Sequence, residues 1–336
     1  MKTPFLRYRS GMIQESLNSV VAKYSSSDTT LQNKSWAPLL SGQIPLSVLS
    51  RISQAASFAS LRSTDEATAL TAAGFRSLLV TRPIVDVESL RVLSILARDN
   101  DVRVTIDHFR HAELLSQAMV AEGLTVGVLL DVDPGYSLTG VRPGPDSVRL
   151  ATAVTQLPGL QLAGVLVDET ACGDHSLSAN PANAFDHALA VARHSQRMIQ
   201  AIGIECREIA TGFDDFSSAI TDPNVTLVLT NPFRTAGVIK ARSGLDVRCP
   251  ALSVVGRVVS RPSLEWCVID IGASLIEEAL HAHVSYPSGV QLLKTHRDIT
   301  SLQLSGESLD LRIGDEIEFA LNAVPEGFNL PYVVED

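Results

Sequence analysis

The chain has 336 residues, 45% of them hydrophobic, and a formal net charge of -10. That length fits one large core and a smaller one, or about two domains. The acids are scattered and lysine and arginine form no cluster, which speaks against nucleic acid or an anionic membrane as a partner, since both are recognised by concentrated positive charge.

The opening Met-Lys-Thr-Pro-Phe-Leu-Arg lacks the apolar stretch of a secretory signal, and no run of about 18 apolar residues follows. A cytoplasmic protein is the expectation, with Cys172, Cys206, Cys249 and Cys267 reduced and mostly packing. The polar run Tyr24-Ser-Ser-Ser-Asp-Thr-Thr30 reads as a loop. Short apolar runs then alternate with amphipathic segments: Trp36–Ser41, Phe58–Leu61, Ser77–Val80, Arg103–Asp107, Val126–Asp131, Leu162–Asp168, Glu205–Ala210 and Val225–Thr230. Eight such runs predict an α/β protein with a (β/α)8 barrel rather than an open doubly wound sheet.

Between them, Asp86 is a candidate N-cap for a helix carrying Val87, Leu90, Leu93 and Ala97 at helical spacing. Leu114, Leu115, Ala118 and Met119 mark the next stripe. Phe185, Ala188, Leu189 and Ala192 mark another, on a helix ending near Gly203. After about Arg242 the pattern turns to strands around Leu252, Trp266, Leu302 and Glu316, separated by turn signals. The predicted organisation is a barrel over residues 15–240 and a C-terminal β domain over 241–336, with residues 1–14 joining the latter.

Several strings carry a resemblance: Thr3-Pro4-Phe5-Leu6, Asp131-Val-Asp-Pro-Gly135 followed by Thr139-Gly-Val141, Val258-Val-Ser-Arg-Pro262 followed by Val268-Ile-Asp-Ile-Gly272, and Leu311-Arg-Ile-Gly-Asp315 followed by Asn329-Leu330. In order and spacing they resemble the D-threonine aldolase and D-serine dehydratase family of alanine-racemase-like, fold-type III pyridoxal-phosphate proteins. That resemblance implies a barrel with a C-terminal β domain, a homodimer, and pyridoxal phosphate held as an imine on a lysine after the first barrel strand.

The resemblance breaks at the chemistry. The segment matching the family's lysine motif is Pro38-Leu-Leu-Ser-Gly-Gln43, which puts Ser41 at the lysine position, where a hydroxyl cannot form an imine. Lys34 lies seven residues upstream. The turn Ala210-Thr-Gly-Phe-Asp-Asp215 stands where the family cradles phosphate; Thr211 and Gly212 remain ligand candidates, while Asp214 would cap a helix and repel an anion. Leu138 stands where the family has an arginine directly before Thr-Gly-Val. His175 is a candidate retained histidine or a plain loop residue. Ala323 and Pro325 fall on the family's metal-ligand positions and carry no ligand atom; Glu326 reads as a turn acid.

Strand ends of a barrel share one mouth, which here gathers Ser41, Asp107, His108, Asp131, Asp133, Asp168, Glu169, Thr211 and Arg234. Arg234 is a candidate anion clamp or a surface arginine. The acidic excess suits a small amine-bearing ligand or a hard cation. Three readings follow: a divergent member that has lost the cofactor lysine and metal ligands and acts as a small-molecule-binding or interaction protein; an active pyridoxal-phosphate lyase or racemase of D-amino acids; or cofactor-free or metal-dependent chemistry on the acidic mouth.

Overall fold

The computed structural model describes residues 2–24, 35–38, 40, 42–56, 58–135, 139–167, 181–212, 225–230, 232–233, 236–240, 246–280, 285–321, 324 and 329–335. The chain forms two compact units, one of Val21–Leu40 with Leu49–Asn231 and one of Met1–Val20, Ser41–Val48 and Pro232–Asp336. Strand β1 (Phe5–Arg9) and helix α1 (Ser10–Tyr24) open the chain.

In the first unit eight parallel strands alternate with helices: β2 (Ser35–Pro38), α2 (Leu46–Ser53), β3 (Phe58–Leu61), α3 (Ala67–Ala72), β4 (Ser77–Val80), α4 (Val87–Asp99), β5 (Asp101–Ile106), α5 (Phe109–Ala121), β6 (Val126–Asp131), α6 (Pro145–Gln156), β7 (Leu160–Val167), α7 (Pro181–Ala201), β8 (Glu208–Gly212) and β9 (Leu227–Thr230). The sheet runs from β3 through β4 to β9 and then to β2. Leu40 N–H donates to Ser60 O at 2.8 Å and Ser60 Oγ to Pro38 O at 3.0 Å, which brings β2 beside β3 and closes the barrel.

Strand alternation sorts the side chains. Ala37, Phe58, Leu79, Leu129, Leu166, Ala210, Leu227 and Leu229 form one buried cluster, the inner core of the barrel. Their neighbours Val104, Val128, Leu130, Val165 and Ile209, also buried, face the helices by the same alternation. Among those helices, Asp86 caps α4 by accepting Ser89 N–H at 2.7 Å. The buried stripe of α4 is Leu90, Leu93, Ser94 and Leu96; Val87, expected in it, is 82% exposed because the first helical position precedes the core-facing turn. On α5 the stripe is Ala112, Leu115, Ser116 and Met119, and on α7 it includes Ala188, Leu189 and Ala192. Strand β8 starts and ends later than the sequence predicts, at Glu208 and Gly212. Arg207 N–H only just joins it by donating to Ala163 O, and Thr211 pairs with Val167.

The second unit adds β10 (Ala236–Lys240), β11 (Asp246–Pro250), β12 (Leu252–Ser260), β13 (Trp266–Ile269), α8 (Ala273–Leu280), β14 (Ser285–Tyr286), β15 (Val290–Thr295), β16 (Thr300–Leu304), β17 (Glu316–Ala320) and β18 (Tyr332–Glu335). Strand β1 lies between β12, antiparallel, and β18, parallel, so the two ends of the chain share one sheet. Tyr8 is fully buried there, and its hydroxyl donates to Gln43 O at 2.9 Å. Burial, and then the neighbouring Tyr332, pushes its phenol above the usual range. Among the described residues no helix is long and apolar enough to cross a membrane.

Candidate functional site

The carboxyl ends of β2 to β9 define the barrel mouth, and alternation decides which side chains look into it. Leu129 faces the lumen, so Asp131, two residues further along β6 and paired with lumen-facing Leu166, does too. Asp131 is 2% exposed. Thr105 pairs with Leu129 and therefore lines the lumen from β5. It is fully buried, and among the described residues its Oγ1 has no hydrogen-bond partner. Thr81 continues β4 by donating its N–H to Leu61 O at 2.9 Å, and its hydroxyl reaches the same oxygen at 3.2 Å. Hydroxyls thus stand below a carboxylate on neighbouring strands.

At the opposite, amino-terminal end, the Arg103 guanidinium lies 4.6 Å from the Phe58 ring centroid and pairs with Glu208. This ion pair and stacking contact form a polar floor beneath the apolar layer.

Asp107, just past the end of β5, uses its carboxylate on neighbours within the chain. One carboxylate oxygen accepts Gly140 N–H at 3.1 Å, and the other lies 2.8 Å from His111 Nδ1 on α5. His108 is the N-cap of α5 and accepts Arg110 N–H on Nδ1 at 3.0 Å. The segment after β6 is pinned at several points. Val141 N–H donates to Asp131 O at 2.9 Å, Asp133 N–H to Val141 O at 3.0 Å, and His187 Nε2 meets Pro134 O at 3.0 Å. Asp133 caps its own turn by accepting Gly135 N–H at 2.8 Å. A depression of about 530 Å3 between α5 and α6 is lined by Asp107, His108, Phe109, Arg142, Asp146 and Arg149.

Thr211 is buried on β8, but alternation with lumen-facing Ala210 puts it on the helix side, and Gly212 follows on the lumen side. Both belong to a strand rather than to the expected turn. Ser41, His175 and Arg234 lie outside the described residues, as do Lys34, Leu138, Asp168, Glu169, Asp214, Ala323, Pro325 and Glu326. Sequence reasoning missed Thr105, His111 and His187. The four-residue spacing from Asp107 to His111 on a helix start was the one signal that pointed to a contact.

The sequence matches to known proteins fall on the barrel segment, and the structural ones span nearly the whole chain. A family model described as alanine racemase, N-terminal domain, matches residues 46–204. The D-threonine aldolase of Arthrobacter sp is 28% identical over 158 residues, which make up 46% of this chain and 42% of that protein, so the match spans less than half of the relative's length. The crystal structure of D-threonine aldolase from Filomicrobium marinum superposes with a TM-score of 0.77 at 22% identity, covering 96% of this chain and 87% of that one. The chain has the alanine-racemase-like fold. D-threo-3-hydroxyaspartate dehydratase from Delftia sp. HT23 has the same fold, with a TM-score of 0.73 at 16% identity over 96% of this chain and 91% of that one. This alanine-racemase-like family depends on pyridoxal phosphate.

The alanine-racemase-like frame makes the lysine inventory informative. The sequence has five lysines, Lys2, Lys23, Lys34, Lys240 and Lys294, and none between residues 35 and 239. Every barrel strand falls inside that interval. Among the described residues no group of three or more His, Cys, Asp and Glu side chains is placed to hold a metal ion.

Proposed function

We propose that this alanine-racemase-like protein binds a small molecule non-covalently at its barrel mouth and has left covalent pyridoxal-phosphate chemistry. The observation that carries this reading is the lysine-free interval from 35 to 239. An imine needs a primary amine at the reacting carbon. In the sequence Lys34 comes before Ser35, the first residue of β2, and so on the amino-terminal side of every barrel strand. The residues present therefore do not fit a cofactor held as an imine in the barrel. Ser41 at the expected lysine position, Ala323 and Pro325 at the expected metal positions, and Leu138 for arginine support the same reading, each removing a different part of the reaction.

The test is an absorption spectrum of the protein as isolated and after addition of pyridoxal phosphate. No band of a lysine imine, and no loss of absorbance on borohydride treatment, is the expected result. A borohydride-sensitive imine band would overturn the proposal.

A second reading, an active lyase or racemase of D-amino acids, is favoured by the 28% identity to the Arthrobacter aldolase. It requires one of the five lysines to serve the mouth, and loss of such activity in Lys34→Ala would establish it. A homodimer, a cytoplasmic location and an amine-bearing ligand are further parts of the proposal that stand on the family resemblance and the acidic mouth.

A further inference from the structure

We infer that the depression between α5 and α6 binds a small aromatic oxyanion, a carboxylate or phosphate ester carried on a flat ring. None of its lining residues belongs to the inner core cluster of the barrel, so the site is separate from whatever the mouth takes. Its volume of about 530 Å3 lies within the roughly 300–1,000 Å3 of small-molecule sites. Asp146 organises the anionic end. Its Oδ2 stands 3.1 Å from Arg142 Nε and its Oδ1 2.7 Å from Arg149 Nη1. Two guanidiniums therefore share one carboxylate, and among the described residues neither has a second partner. Arg142 keeps both terminal nitrogens and Arg149 keeps Nε and Nη2 as donors, and such forks match the paired oxygens of a carboxylate or phosphate. Asp107, the other acid on the wall, already accepts Gly140 N–H on one oxygen and has His111 beside the other.

Phe109 supplies the aromatic end. It opens α5 with 46% of its surface exposed and lines the same depression, together with Val141, Leu150 and Ala153. An aromatic ring on a pocket wall gains by covering its face with another flat ring, and guanidiniums nearby favour the π cloud of that ring. A bare inorganic anion would leave Phe109 in water, and a neutral ring would leave the arginine forks to water. One molecule carrying both groups meets both. Gly140 and Val141 belong to this wall and also to the segment that reaches the mouth, because Val141 N–H donates to Asp131 O at 2.9 Å. A ligand between the helices thus bears on the rim, and its binding is expected to slow amide exchange at residues 139–141.

Calorimetric titration of the full chain with benzoate and with phenyl phosphate tests this, with acetate and benzyl alcohol as the anion and the ring alone. Benzoate or phenyl phosphate is expected to bind at least about tenfold more tightly than either fragment, and the tighter of the two identifies the oxyanion. Arg142→Ala and Phe109→Ala are each expected to weaken that ligand about tenfold. Arg110→Ala, on α5 but paired with Glu113 outside the depression, is expected to leave it unchanged. The Arg142 and Arg110 side chains are 85% and 58% exposed, so neither substitution removes packing. Equal binding of a fragment, or no binding of either aromatic anion at millimolar concentration, would overturn the inference. Full affinity in Arg142→Ala or in Phe109→Ala would do the same by placing the ligand elsewhere, as at the mouth. So would amide exchange at residues 139–141 that saturating ligand leaves unchanged.

Discussion

Asp107 Oδ2 accepts the backbone N–H of Gly140 across 3.1 Å, so the end of β5 holds the segment that follows β6 against the barrel rim. His111 Nδ1 stands 2.8 Å from the other carboxylate oxygen, in a geometry that does not meet a hydrogen bond. The bond to a charged acceptor is only partly shielded from solvent, with both side chains 19% exposed. Asp107→Ala is expected to speed amide exchange at Gly140 by about five- to tenfold while leaving β6 protected, and Asp107→Asn, which keeps an acceptor, by less. Hydrogen exchange resolved to the peptide containing residues 139–141 measures both.

Gly140 is itself constrained. Its φ is +112°, and a Cβ there would stand 2.4 Å from the Asp133 nitrogen and 2.8 Å from the Val132 carbonyl carbon. Backbone cannot swing aside as a side-chain tip can. Gly140→Ala should cost about 2 kcal/mol or more, whereas Gly123→Ala, at φ +65° with nothing within 4 Å, should cost only about 1 kcal/mol. Urea unfolding of the two variants compares them directly.

The terminal sheet of the second unit stores charge in a drier place. Arg7 and Arg9 reach Glu318 at 2.6 and 2.5 Å, and the Ser253 hydroxyl also donates to it. Burial alone would raise the Glu318 carboxyl, but Arg9, then Ser253 and Arg7, hold it below the usual glutamate range. A depressed folded-state value contributes stability that is complete above the unfolded value of about 4.3 and is lost as pH falls through the folded value. Acid titration of the unfolding free energy should therefore decline more steeply below about pH 4.3 in the native chain than in Glu318→Gln. At neutral pH that variant should be about 3 kcal/mol less stable, because two arginines lose their common partner.

Cys206 is 1% exposed, and burial, reinforced by Glu208, pushes its thiol up to about 12. The thiolate is the reactive form. Cys206 is expected to resist alkylation at pH 8 in the folded protein and to react within minutes in denaturant, as read by peptide mass mapping.

Much of the barrel was legible because each strand is a short apolar run bounded by polar or turn residues, and parallel burial on both faces makes that signal strong. The runs Phe58–Leu61, Ser77–Val80 and Val126–Asp131 match the observed strands residue for residue. The start of β8 was misplaced because Glu205-Cys-Arg207 reads as strand-like after Gly203, whereas regular pairing with β7 begins at Gly164 and Glu208. The site was less legible. Thr105 in the run Val-Thr-Ile is an unremarked β-branched residue until pairing with Leu129 turns it inward. Asp107 and Asp131 read alike in sequence, yet only Asp107 accepts the backbone N–H of Gly140 and lies beside His111. That difference comes from a hydrogen bond with the segment after β6, which no local sequence pattern announces.

Intact-mass analysis of the protein as isolated, reduced with borohydride and then mapped by peptide, tests the central claim most directly. The claim requires unmodified lysines, with Lys34 and Lys240 recovered in native form. A pyridoxyl group fixed stoichiometrically on any one lysine, removed by substituting that residue and accompanied by loss of activity on a D-amino acid, would contradict it.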